Sequence, residues 1–174
     1  MIEINHQYIN EILKAYQQVL GNQFESYRNH VYRVYNLTLL LSNSSLINKE
    51  EIAVAAAFHD LGIWTNKTLD YLAPSITLAK EFALEKGIKT DEIENMILYH
   101  HKILRYASSK VVDNFRKADL ADVTFGFINF GVNRRTIKEL TTLFPNLGLQ
   151  RFVLKVILRY IVRHPLNPLP ILKV

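Results

Sequence analysis

A chain of 174 residues with 49% apolar and 11% aromatic residues is long and hydrophobic enough to bury one substantial core, which excludes a disordered polypeptide and points to a single domain over residues 1–174. It contains no cysteine, so disulfides, thiolate nucleophiles and cysteine-based zinc or iron–sulfur sites are excluded, and a metal would have to be held by His, Asp, Glu or backbone oxygen. The formal charge of +5 is moderate and dispersed except near the C-terminus; it suits a small anionic substrate and does not demand nucleic acid as a specific partner.

The opening Met1-Ile2-Glu3-Ile4-Asn5-His6 has neither a basic leader nor an apolar core, and no later run approaches the roughly 18 apolar residues of a membrane span. A cytoplasmic protein without a membrane partner is expected. Helical periodicity begins at once, with Ile4, Tyr8, Ile12 and Tyr16 on one face until Gly21-Asn22. A second helix is expected from about Phe24 to Leu41, ending in the polar turn Ser42-Asn43-Ser44-Ser45. The third starts at the cap Asn48, with Glu51 placed to close a capping box, and runs through Ala55-Ala56-Ala57-Phe58-His59-Asp60 to a stop at Gly62.

Pro74 suits the opening of a fourth helix that closes at Gly87, and Thr90-Asp91-Glu92 caps a fifth carrying His100 and His101. After a Ser108-Ser109 cap, a sixth carries Phe115, Asp119 and Asp122. Two more are expected at about 134–144 and 149–163, followed by a tail in which Pro165, Pro168 and Pro170 impose extended backbone. No stretch alternates with period two and no hairpin turn is present. The chain therefore reads as all-α, a bundle of about seven to eight helices.

The Ala-rich run ending in His59-Asp60 packs close to its neighbours, so Asp60 must be paired or coordinate a cation, because an isolated buried carboxylate is costly. His30, His59, His100 and His101 lie in or near apolar helical stretches, and Asp119 and Asp122 stand one turn apart, where both can face the same side. Nitrogen and carboxylate ligands of this kind suit a divalent ion, one or two, among Mn, Fe, Ni, Co, Zn and Mg. Two ions sharing a carboxylate such as Asp60 would clamp an attacking water and a phosphoryl oxygen.

The order His30, His59-Asp60, His100-His101, Asp119 resembles the HD-domain metal-dependent phosphohydrolase superfamily over roughly residues 24–125. The matching contexts are His30-Val31-Tyr32-Arg33-Val34, Phe58-His59-Asp60-Leu61-Gly62 and Lys117-Ala118-Asp119-Leu120. The resemblance implies an HD-type helical bundle in which His30, His59, Asp60 and Asp119 hold a metal, and in which His100 and His101 serve a second metal or the substrate phosphate. No Gly-Tyr-Pro signature follows His101, and the extended histidine cluster of the nucleotide triphosphohydrolases is absent, so neither of those substrates is carried over.

Asp60 is the expected catalytic centre. Asp119 is favoured over Asp122 as the ligand, which leaves Asp122 as a group behind the ligands or a catalytic base. On a helix His100 and His101 point roughly 100° apart, so one ion would not meet both directly. Arg33, Lys102 and Lys117 could approach a bound anion and Trp64 could stack on a ring; solvated or carboxylate-paired cations and a packed indole are the plainer fates. In the last helix Arg151, Lys155, Arg159 and Arg163 repeat every fourth position among apolar residues. That pattern describes a packed helix with one solvated basic stripe, or a homo-oligomer interface or anionic surface contact.

The expected function is a metal-dependent phosphohydrolase acting on a small phosphorylated metabolite or nucleotide. The alternatives are a hydratase or other non-phosphoryl hydrolytic enzyme on the same fold, and a non-catalytic metal- or ligand-binding module.

Overall fold

A computed structural model describes residues 2–42, 47–166 and 170–171. The chain forms helices α1 (Gln7–Ala15), α2 (Gln17–Leu20), α3 (Phe24–Ser42), α4 (Lys49–Phe58), α5 (Gly62–Thr65), α6 (Leu72–Glu85), α7 (Asp91–Tyr99), α8 (Lys110–Val123), α9 (Arg134–Leu143) and α10 (Leu149–Arg163). No strand occurs among the described residues, and no described helix is long and apolar enough to cross a membrane. The expected all-α bundle is what forms, with α2 and α5 as single turns beside eight longer helices. Asn43, Ser44 and Ser45 of the expected polar turn and Pro168 of the tail lie outside the described residues.

Two helices set the architecture. The 19-residue α3 lies along α8, the most extensive helix pairing in the molecule, and is buried over most of its length. Helix α4 is enclosed by α1, α3, α6 and α7, so that every residue from Ile52 to Phe58 is at most 1% exposed. That enclosure explains Ala55-Ala56-Ala57: neighbouring helices approach on all sides, and adding side-chain volume there would cost about 1–3 kcal/mol in overpacking. The helix starts as its sequence indicates. Asn48 Oδ1 accepts from the Glu50 and Glu51 N–H groups, while its Nδ2 donates to Glu51 at 3.0 Å. Ser109 caps α8 in the same way by accepting from the Val112 N–H, whereas Thr90 makes no side-chain cap on α7.

The expected stop at Gly62 is corrected. Helix α4 ends at Phe58, and His59, Asp60 and Leu61 continue in helical turns into α5, which Gly62 begins. The glycine serves close approach: a Cβ there would lie 2.6 Å from the Tyr71 carbonyl oxygen and 2.9 Å from Ser75 Oγ. The Gly62 N–H also donates to Ser75 Oγ at 3.0 Å, which draws the start of α6 onto the His59-Asp60 turn.

The C-terminal helices join the core through Leu140, Phe144 and Leu149 and are tied to α3. Arg33 Nη1 donates to the Phe144 carbonyl at 2.7 Å, Asn29 Nδ2 donates to the Pro145 carbonyl at 2.8 Å, and the Phe144 ring stacks on Tyr32. Helix α10 packs Phe152, Val153, Val156, Ile157 and Tyr160 against the bundle. It leaves Leu154, Leu158 and Val162 exposed beside its basic residues, so it is covered on one side only.

Candidate metal centre

Four segments converge at one buried point. Helix α3 brings His30, the turn after α4 brings His59 and Asp60, the turn after α7 brings His100 and His101, and α8 brings Asp119 and Asp122. His59 is inaccessible to solvent, and His30, His100 and Asp119 are at most 3% exposed. Burial this deep makes the hydrogen-bond inventory decisive.

The imidazole orientations are fixed from behind. His30 Nδ1 donates to Asp122 Oδ2 at 2.7 Å, His59 Nδ1 donates to the Ala56 carbonyl at 2.8 Å, and His100 Nδ1 donates to the Ile97 carbonyl at 2.7 Å. Each neutral ring therefore presents its Nε2 lone pair to the centre. The Nε2 atoms of His30 and His59 stand 3.0 Å apart, and two lone pairs at that distance repel unless a cation or a proton lies between them. The titration directions agree. Burial alone would lower His30, but its hydrogen bond to Asp122 and the surrounding carboxylates raise it, while burial takes His59 down to about 3.

The carboxylates complete a site for a cation. Asp60 Oδ2 lies 3.5 Å from His59 Nε2 and 3.7 Å from His30 Nε2, and Asp119 Oδ1 lies 3.5 and 3.8 Å from His30 and His59. These separations are too long for hydrogen bonds. They come close to the edges of roughly 3.0–3.4 Å that metal–ligand bonds of about 2.1 Å imply. Asp119 Oδ1 is buried with no hydrogen-bond partner, which a structural carboxylate rarely tolerates. The residues thus fit a divalent ion. One grouping is His30, His59 and Asp60, which Asp119 borders through the two imidazoles; a second is Asp60, His100 and His101. Asp60 belongs to both groups.

Tyr71, which carried no motif in the sequence, occupies this second group. Its hydroxyl donates to Asp60 Oδ1 at 2.6 Å and lies 2.7 Å from His101 Nε2. Burial and the nearby Asp60 charge raise the Tyr71 hydroxyl well above its usual range, so it keeps its proton. Only the glycine at position 62 hinted at such a close neighbour. The expected divergence of His100 and His101 is also corrected: α7 ends at Tyr99, and beyond it the two rings lie 3.9 Å apart and both reach the Tyr71–Asp60 side.

The two α8 aspartates separate clearly. Burial raises Asp119 to about 6, with Asp60 and Asp122 adding repulsion. Asp122 is buried as well, but its hydrogen bond to His30 and the Arg33 guanidinium outweigh burial and hold it at about 2. A carboxylate so strongly held is a poor proton acceptor. Asp122 orients His30, and its assignment as a catalytic base is corrected.

The expected anion contacts move elsewhere too. Arg33 is 1% exposed and its guanidinium is committed to Asp122 and the Phe144 carbonyl, so it braces the centre from behind His30. Trp64 lies between Tyr27 and Phe152, at ring separations of 4.8 and 5.5 Å, which leaves neither indole face open for a base. Lys117 pairs with Asp113 at 2.7 Å. Lys102 directly follows His101 and is half-buried; Arg116 donates to its carbonyl oxygen and to Asp113, which ties the His101 turn to α8.

No curated protein and no solved structure matches the chain. The family model of the HD domain matches residues 27–125, a span that holds every residue of this centre and more than half of the sequence, and the chain is therefore a member of the HD-domain metal-dependent phosphohydrolase superfamily.

Proposed function

We propose that the protein is a metal-dependent phosphohydrolase acting on a small phosphorylated metabolite or nucleotide, with His30, His59, Asp60 and Asp119 holding one divalent ion and His100 and His101 meeting a second ion or the substrate phosphate. The observation that carries this reading is the convergence of three Nε2 lone pairs and two carboxylates, with Asp60 common to both ligand groups. A bound divalent ion supplies a Lewis acid that makes water nucleophilic near neutral pH. Around it Asp122 fixes the His30 tautomer, the Ala56 and Ile97 carbonyls fix His59 and His100, and Tyr71 holds one oxygen of Asp60.

A cytoplasmic setting and a small anionic substrate accord with the moderate positive charge. Mn, Fe, Co, Ni, Zn and Mg all suit this donor set. Purified protein should contain stoichiometric transition metal by elemental analysis and should hydrolyse phosphate esters. Activity lost in His59→Ala and Asp60→Asn supports the proposal; Mn-dependent activity that His59→Ala leaves unchanged refutes it.

The enclosure of the centre favours a second reading. Asp60, whose side chain is 12% exposed, and half-buried His101 offer the widest access, which would also suit a metal- or ligand-binding module without turnover. Stoichiometric metal with no hydrolysis across a phosphate-ester panel would favour that module.

A further inference from the structure

A cavity lies on the far side of Trp64 from the metal centre. It has a volume of about 400 Å³ and runs between the α5 turn and α10, bordered by Ile63, Trp64, Lys67, Phe152, Arg159 and Arg163. No residue lining it is acidic. Lys67 approaches from the loop after α5, and Arg159 and Arg163 from successive turns of α10. None of the three forms an ion pair with a described residue. Phe152, stacked on Trp64 at an interplanar angle of 9°, gives the cavity an apolar patch with Leu69 and Val156, and Thr68, Tyr160 and His164 line it as well.

Lys67, Arg159 and Arg163 are solvent-exposed, and it is the cavity that sets two cations of the α10 stripe apart from the other two. Arg151 and Lys155 belong to the same repeat of cations on α10 but do not border the cavity; Arg159 and Arg163 do, together with Lys67 from the loop after α5. Lys67 is also held at φ 53°, in the left-handed region that side chains rarely adopt, a conformation that clusters where the surroundings over-determine the backbone. Guanidinium forks one turn apart match the oxygens of a phosphate, and a third cation favours a dianion over a monoanion. The volume lies within the range of small-molecule sites.

We infer that this cavity binds a small phosphomonoester with an apolar body, its phosphate held by Arg159, Arg163 and Lys67 and its body resting on Phe152, Ile63 and Leu69. The site is separate from the metal centre: the Tyr27 and Trp64 rings stand between it and His59, with Tyr27 6.4 Å from His59. The inference does not depend on the proposed hydrolase activity.

The chain has one tryptophan and it borders the cavity, so its emission reports occupancy of this site. The test titrates full-length protein in EDTA with benzylphosphonate, which cannot be hydrolysed, and follows Trp64 fluorescence. A saturable change is expected, at least tenfold weaker in Arg159→Gln/Arg163→Gln and weakened again by Lys67→Gln. Arg151→Gln/Lys155→Gln, which removes the same charge outside the cavity, and Asp119→Asn at the metal centre should each leave affinity within about twofold. Inorganic phosphate alone should bind at least tenfold more weakly. The inference is overturned by the absence of a saturable change, by equal weakening in the two double variants, by loss of the signal in Asp119→Asn, or by inorganic phosphate binding as tightly as benzylphosphonate.

Discussion

Asp119 and Asp122 stand one turn apart on α8, are buried to a similar degree, and live in opposite electrostatic conditions. Asp122 is saturated: His30 Nδ1 and the Arg33 guanidinium fill its oxygens. Asp119 faces two imidazole lone pairs with one oxygen unpartnered. Burial acts alike on both, so the difference lies in their partners. The saturated carboxylate stabilises the fold and aims a ligand; the unsaturated one costs the fold stability and is the group left for a cation.

The strongest way to break this contrast is Asp122→Ala. It strands the buried Arg33 charge and frees the His30 ring, and should lower stability by about 3–5 kcal/mol in urea denaturation. Asp119→Asn should do the reverse. A carboxyl moved from 3.8 to about 6 costs the folded state about 3 kcal/mol once ionised, so in EDTA at pH 7.5 this variant should be more stable than the parent by up to that amount. Its metal content should nonetheless fall below stoichiometry. Equal destabilisation by both substitutions would erase the distinction.

Acidity sharpens it further. Between about pH 4 and 6 the raised Asp119 keeps its proton in the fold while the unfolded chain has lost it, so the advantage of Asp119→Asn should be absent below about pH 4, grow through that window and level off above pH 6. The depressed Asp122 stabilises the fold fully above about pH 4, and that contribution is lost as the pH falls through about 2. Chemical denaturation of each variant against the parent, from pH 3 to 8 in EDTA, reads both signs.

Smaller effects are expected on the Tyr71 side of the centre. Gly62→Ala places a methyl against the Tyr71 carbonyl and should cost about 1–3 kcal/mol, with a fall in metal affinity as the hydroxyl moves away from Asp60. Tyr71→Phe removes only the hydroxyl and should weaken metal binding by about tenfold, measured by calorimetric titration, with little change in unfolding midpoint.

Much of the fold was legible because it rests on local signals: the apolar periodicity of α3 and α8, the Asn48 and Ser109 caps, and the enclosed alanines of α4. The order of His30, His59-Asp60, His100-His101 and Asp119 was enough to bring the candidate ligands together. What escaped the sequence depends on contacts between distant segments. Tyr71 gains its role because Gly62 lets α6 close in, and the spacing of Asp119 and Asp122 could not say which of them Arg33 would occupy. Arg33 and Trp64 looked like substrate contacts because their positions beside His30 and Asp60 were visible while their partners Phe144 and Phe152, more than 80 residues away, were not.

The Arg33–Phe144 and Asn29–Pro145 hydrogen bonds also bear on where the working unit ends. A fragment cut at residue 125, where the family match stops, would keep every candidate ligand and lose the carbonyl that holds the third arm of Arg33, along with the ring that covers Tyr32. The boundary of ligation and the boundary of autonomy differ by about twenty residues, and a shortened chain that still aims His30 must reach at least Pro145.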